Sequence, residues 1–185
     1  MKHSVLVAYA TKSGSTREVA EAVAGTLRDH GLDADVRPAR EIGAVGGFDA
    51  VVLGGALYMG RWHSDARGFL RRHRAALAAL PVAVFGMGPR TLEESEVAES
   101  RKQLDRALGD VPEVEPVSVA IFGGVVDPSR LRFPFNRMTA SDARDWEAIR
   151  AWAAEVSVAL GGRPRGPSTT DRLASSRAAV PTASG

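Results

Sequence analysis

The chain of 185 residues contains no cysteine. That excludes disulfides, thiolate zinc sites, iron–sulfur clusters and a cysteine nucleophile, so any redox chemistry has to be carried by a bound cofactor. Lysine is scarce as well: arginine supplies 21 of the 24 basic residues, and the formal net charge is only +2. So mild a balance lacks the concentrated basic face of a nucleic-acid binder and equally lacks a strongly acidic docking surface. No apolar stretch approaches the roughly 20 residues that span a bilayer. The apolar run in MKHSVLVAYA is too short for a signal-peptide core with its cleavage site. A cysteine-free chain is compatible with a reducing cytoplasm, which is the expected location, with at most peripheral contact at the inner face of a membrane. No clustered metal ligands are present, and no metal is expected.

What the sequence does contain is alternation. Ser4–Tyr9 (SVLVAY) is a short Val-rich run bounded by turn residues and reads as a buried strand. Arg17–His30 places Val19, Ala20, Val23, Ala24 and Leu27 on one helical face, with Gly31 as its stop signal. Ala34–Arg37 is a weak strand. Asp49–Leu53 (DAVVL) is a strong one that ends at Gly54-Gly55. Ser64–Leu80 reads as a helix closed by Pro81, Val82–Phe85 as a strand ending at Gly86, and Thr91–Leu108 as a charged helix. Val117–Phe122 is a fifth strand. Ser141–Leu160 is a last helix, with Asp142 and Asp145 in its first turn, where carboxylates complement the helix dipole. Strands alternating with helices predict an α/β fold, a five-stranded parallel sheet with helices on both faces. Residues 1–160 form the expected single domain. Residues 161–185, rich in Gly, Pro, Ser, Thr and Ala, are expected to be a disordered tail.

In such a sheet, ligands bind beyond the carboxyl ends of the strands, where strand order reverses. Three unusual stretches fall there: TKSGST (11–16), GGALYMG (54–60) and GMGP (86–89). Glycine lets a backbone approach a ligand closely or adopt positive φ. In the first stretch, Thr11, Ser13, Ser15 and Thr16 surround Gly14 at a strand-to-helix turn. Hydroxyl donors combined with the free N–H groups and dipole of a helix start suit a monophosphate. The spacings of a Walker loop and of the dinucleotide fingerprint are both absent. The same residues also satisfy a helix capping box, Ser15 with Glu18. In the second stretch, Tyr58, Met59 and, just beyond it, Trp62 suit a planar ring; they equally serve to cover the sheet's end. His63 stands at a helix start near the presumed ring, either as an ordinary cap or as a proton carrier. Arg61, Arg67, Arg71, Arg72 and Arg74 form either a solvated face or a carboxylate-binding one.

The T-x-S-G-S-T turn after a first strand resembles the flavin mononucleotide (FMN) phosphate loop of flavodoxins. GGALYMGRWHSDARGFLRRH, GVVDPSRL and RDWEAIRAWA extend the similarity, from about Ser4 to about Glu155, to the flavodoxin-fold family that includes menaquinone-dependent protoporphyrinogen oxidase. The resemblance implies a flavodoxin-like three-layer sandwich with strand order 2-1-3-4-5. It implies that Thr11, Lys12, Ser13, Gly14, Ser15 and Thr16 hold the phosphate of FMN. Ala56, Leu57, Tyr58, Met59 and Gly60, with Gly86, Met87 and Gly88, would flank the isoalloxazine ring. The stretch Asp127–Ala140 is shorter than the hydrophobic, basic insertion of the quinone-dependent oxidases. Its Arg130, Arg132 and Arg137 alternate with Leu131, Phe133 and Phe135, which are expected to pack on the body of the domain rather than dip into an anionic interface.

Two functions follow from this resemblance. One is an FMN-dependent oxidoreductase that draws hydrogen from an organic substrate, such as a porphyrinogen, and passes it to a quinone. The other is an electron carrier that docks on redox partner proteins. Carriers are typically acidic, and this chain's basic balance and Arg-rich second helix count against that role. The sequence assigns no catalytic residue, and a binding module that keeps the fold without redox work is a third reading.

Overall fold

The continuous apolar runs become inner strands because both of their faces are covered. In β1 (Ser4–Ala10), Val5 and Val7 point into one core and Leu6 and Ala8 into the other, as the two-residue strand period requires. The computed structural model describes residues 3–130 and 132–161. The expectations placed on Leu131, on the Phe135 side chain and on residues 162–185 lie outside the described residues.

After β1 come α1 (Ser15–Asp29), β2 (Asp33–Pro38), β3 (Ala50–Tyr58) and the two-residue β4 (Arg61–Trp62). They are followed by α2 (Ser64–Leu77), β5 (Val82–Met87), α3 (Glu94–Gly109) and β6 (Ser118–Phe122). A short β7 (Val125–Val126) and β8 (Ser141–Asp142) precede α4 (Trp146–Ala159). The five long strands lie in the order β2-β1-β3-β5-β6, every pair parallel. This is the expected 2-1-3-4-5 order, with β4 folded back antiparallel on the end of β3. Helices α1 and α4 cover one face through Val19, Val23, Leu27, Ile149 and Val156. Helices α2 and α3 cover the other through Ala66, Phe69, Leu70, Leu77 and Leu104.

Helix α1 ends as its sequence signals. Gly31 has φ of +87°, its N–H donates to Arg28 O, and the Leu32 N–H donates to Leu27 O. That is a Schellman closure, and it buries Leu32 beside Leu27.

Three expectations need correction. Strands β3 and β5 do not stop at their glycines. A Cβ on Gly54 would stand 2.0 Å from the Phe85 ring, and one on Gly55 would stand 2.6 Å from the Trp62 indole. Those glycines therefore admit neighbouring side chains, not a ligand, and the strand continues through Ala56 and Leu57 to Tyr58. Gly86 is packed in the same way among Ile121, Leu57 and Leu104. Second, residues 141–145 are not helical: Ser141 and Asp142 pair with Val126 and Val125. Asp145 caps α4 instead, accepting the Ala148 N–H at 3.0 Å. Third, Trp62 is 1% exposed and donates to Gly55 O at 3.0 Å, so it covers the sheet's end and does not face a ring.

Candidate functional site

The ends of β1, β3 and β5 open into a cavity of about 720 Å³ at the point where strand order reverses. Its first wall is the turn after β1. Gly14 has φ of +95°, a conformation that favours glycine, and its N–H donates to Thr11 Oγ1 at 2.9 Å. The capping box does not form: no side chain caps α1, and Glu18 turns instead to Arg144, 2.5 Å away. The uncapped helix start leaves N–H groups and the positive dipole end available to an anion. Ser13 and Ser15 line the cavity. Beneath them Thr16 is fully buried, and its hydroxyl has no hydrogen-bond partner among the described residues. A buried hydroxyl left unpaired is unfavourable unless a ligand completes it. An orphaned hydroxyl, an uncapped helix and adjacent cations fit a phosphate.

The second wall is the hairpin from β3 to β4. Met59 (φ +48°) and Gly60 (φ +76°) form its two-residue turn. Both residues must be left-handed for so tight a connection, at a cost of about 1 kcal/mol for the methionine. Tyr58 and Met59 are held outward at the rim, and the Lys12 ammonium lies 4.4 Å from the Tyr58 ring centroid, linking the first two walls. The third wall is Met87-Gly88 and Arg90. Gly88 has no room for a Cβ because Leu57 is too close, at 2.8 Å; its N–H donates to Phe122 O at 3.2 Å.

Sequence reasoning missed the fourth wall. Gly124, Val125, Val126, Asp127, Arg130, Arg132, Phe133 and Met138 all line the cavity. Phe133 is 70% exposed and lies 5.2 Å from the Arg137 guanidinium, so it does not pack on the body as expected. Arg130 Nη1 donates to Ser13 O at 2.5 Å, bringing a cation to the phosphate-type turn. Asp127 holds it there at 3.2 Å; hydrogen bonds from Ser129 and the charge of Arg130 keep that carboxyl below the usual range. Arg144 fastens this wall to the first. It chelates Asp142 at 2.6 and 2.9 Å and pairs with Glu18, and its guanidinium lies over the Trp146 ring at 4.8 Å. Hydrogen bonding to Arg144 lowers the Asp142 carboxyl and raises the guanidinium still further. The Val-Val-Asp-Pro-Ser-Arg stretch at 125–130 gives no local warning of this, because each contact depends on tertiary placement.

Of the expected site residues, Lys12, Ser13, Ser15, Ala56, Leu57, Tyr58, Met59, Met87 and Gly88 line the cavity. Thr11, Gly14 and Thr16 support its first wall from beneath, Gly60 shapes the hairpin, and Gly86 lies in the core. Three arginines of α2 turn to structure: Arg67 donates to Trp62 O and Arg72 to Ala39 O, while Arg74 approaches Glu113. No helix among the described residues is long and apolar enough to cross a membrane.

Residues 6–140 match the flavodoxin domain family, and the chain belongs to that family. With this fold it is a flavodoxin-like flavoprotein of the oxidoreductase class. The chain is 31% identical over 169 residues to the protoporphyrinogen IX dehydrogenase [quinone] of Escherichia coli K12, covering 82% of this chain and 93% of that relative. Similar solved structures share the fold at lower identity. A flavodoxin mutant from Pseudomonas aeruginosa has a TM-score of 0.57 at 21% identity, covering 86% of this chain and 99% of its own. The rubredoxin:oxygen oxidoreductase of Desulfovibrio gigas has 0.58 at 15%, covering 86% and 37%. Oxidised flavodoxin 2 of Bacillus cereus has 0.56 at 20%, covering 85% and 97%.

Proposed function

We propose that the chain is an FMN-dependent oxidoreductase that takes hydrogen from a porphyrinogen-type substrate and delivers it to a quinone. The observation that carries the cofactor reading is the orphaned Thr16 hydroxyl beneath an uncapped helix start. In this reading Thr11, Lys12, Ser13, Gly14, Ser15 and Thr16 hold the FMN phosphate, with Arg130 adding positive charge. Ala56 to Gly60 and Met87-Gly88 flank the ring. FMN, when bound, supplies the capacity to accept a pair of electrons with a proton and to release them to a second acceptor. The protein's part is to hold the ring at the rim and to orient the substrate.

The substrate reading draws on the fourth wall and on the name of the Escherichia coli relative. Val125, Val126, Phe133 and Met138 offer apolar area to a large organic ring. Arg90 and Arg132 line the same cavity, and neither guanidinium has an ion-pair partner among the described residues. Unpaired guanidiniums beside an apolar surface suit the carboxylates of a flat, acid-bearing substrate. The same reading places the protein in the cytoplasm, meeting its quinone at the inner face of the membrane.

Purified protein should be yellow and release FMN on extraction. Protein that stays colourless when titrated with FMN overturns the reading. With a soluble quinone as acceptor it should oxidise protoporphyrinogen. Arg90→Gln with Arg132→Gln should raise KM for the free acid by at least about tenfold while leaving KM for its dimethyl ester little changed, since each charged hydrogen-bonded pair contributes about 1.5–3 kcal/mol. Absence of turnover, together with ready reduction by a flavodoxin reductase, would identify an electron carrier instead.

A further inference from the structure

One polar side chain at the cavity belongs neither to the phosphate wall nor to the arginine-bearing wall. His63 precedes α2 and caps it: its Nδ1 accepts the Asp65 N–H at 3.1 Å. Its backbone is fixed as well, with the N–H donating to Ala56 O at 2.9 Å and the carbonyl accepting the Arg67 N–H at 3.1 Å. The side chain is 10% exposed, and the space it meets is the cavity.

The cap determines the tautomer. A ring nitrogen that accepts a hydrogen bond carries no proton, so the neutral imidazole keeps its hydrogen on Nε2. Charge on the ring is disfavoured: burial lowers its affinity for a second proton, the Lys12 ammonium across the cavity lowers it further, and the Asp65 carboxylate only partly opposes them. Asp65 Oδ2 is 3.9 Å from Nδ1, but with Nδ1 occupied by the N–H this approach is not an ion pair. The Nε2–H has no acceptor among the described residues. It is also not among the fully enclosed unpaired atoms, so it remains accessible from the cavity. A nine-tenths-buried donor of fixed tautomer, held by a helix cap and left without an acceptor, is prepared for an acceptor that a ligand brings.

We propose that His63 contacts the bound flavin, its Nε2–H donating to an acceptor nitrogen or carbonyl oxygen of the isoalloxazine ring. This rests on the reading of the cavity as an FMN site. The ring is favoured over the phosphate for two reasons. The phosphate wall has donors and cations of its own in Thr16, α1, Lys12 and Arg130. His63 is neutral and belongs to the opposite wall, tied to Ala56 at the end of β3. A neutral donor aimed at a ring acceptor binds more strongly as that atom gains negative charge. His63 therefore favours the reduced cofactor over the oxidised one.

Two variants separate the cap from the cavity donor. His63→Asn keeps an oxygen where Nδ1 accepts the Asp65 N–H, and asparagine caps helices well, but it has nothing at the Nε2 position. His63→Gln places an amide N–H near Nε2 and gives up the cap. The apoproteins are titrated with FMN, following flavin fluorescence, melting temperature and the midpoint potential of the bound flavin. His63→Asn should melt near wild type, bind oxidised FMN about fivefold more weakly, bind reduced FMN more weakly still, and so show a lower potential. His63→Gln should lose melting temperature but recover most of the affinity. Imidazole ¹⁵N spectra of the wild type should show the Nε2–H tautomer, with that resonance shifted and protected from exchange on FMN addition. Wild-type affinity and potential in His63→Asn, or an Nε2–H signal unmoved by saturating FMN, overturns the inference while the FMN site stands. Failure of the wild type to bind FMN overturns both.

Discussion

On one side of the cavity, the ends of β1, β3 and β5 are extensions of strands whose side chains are buried on both faces of the sheet. On the other, the wall formed by the described residues of 124–142 has a single two-residue strand pair among them and is held by Arg144, Arg130 and a close backbone approach at Gly123-Gly124. The first side inherits its geometry from the core and presents hydroxyls, N–H groups and glycines that fit one compact, charged ligand group. The second presents Phe133, Met138 and the unpaired Arg132 on a segment with few buried apolar contacts. Rigidity therefore sits where a cofactor would be retained, and adaptability where a substrate would come and go.

The strongest test of that contrast compares two glycines. Gly54→Ala drives a Cβ to 2.0 Å from the Phe85 ring in the core; it should cost about 3 kcal/mol, seen as a lower denaturation midpoint for the whole domain. Gly123→Ala drives one to 1.9 Å from the Ala143 carbonyl oxygen. It should displace the fourth wall, costing less global stability but more substrate affinity and raising hydrogen exchange at Val125 and Val126. Equal global losses would erase the distinction between the walls.

Arg144→Ala should have an intermediate effect. Its partners Glu18 and Asp142 are about half exposed, so the stability loss should be about 1 kcal/mol. Loosening of the wall should show as a rise in KM larger than any change in melting temperature. The pH dependence of apoprotein stability sharpens the comparison on the strand-end side. His63 holds its proton less tightly in the fold than its ordinary value of 6.5. Below that pH the unfolded chain binds a proton that the native state resists, so stability should fall as pH drops through about 6.5. His63→Asn should flatten that slope in urea titrations. The smallest effect belongs to Lys12→Ala, which removes an exposed cation–π contact with Tyr58 and should change stability by about 0.5 kcal/mol. A larger loss would mean that Lys12 braces the two strand-end walls.

The layers, the strand order and the first wall were legible in the sequence because they follow from local pattern: Val5 to Ala8, Val19 to Leu27 and the hydroxyls around Gly14. What was misread involves partners distant in the chain. Gly54-Gly55 look like a strand's end until Phe85 and Trp62 are placed against them. Ser15 and Glu18 match a capping box, but a bidentate arginine far along the chain draws Glu18 away. Ser141-Asp142 look like a helix start because their partner, Val125-Val126, is itself too short to read as a strand. His63 reads from the sequence as a helix-start residue beside the site, yet only its burial and the occupied Nδ1 show which nitrogen is left over. Phe133 looked like a residue seeking the body because nothing local indicated that a cavity lay beside it.

The sequence distances within the site carry a consequence for how it comes into being. Arg130 reaches Ser13 across 117 positions and Arg144 reaches Glu18 across 126, while β1 waits for its second neighbour, the central strand β3. Contacts of such separation are slow to form, because a long loop must close before any of them contributes. On a ribosome the hydroxyl-lined turn emerges well before the stretch that encloses it. A nascent chain thus exposes an open, uncapped helix start until Arg130 and Arg144 have been made, and only then can the fourth wall close on it.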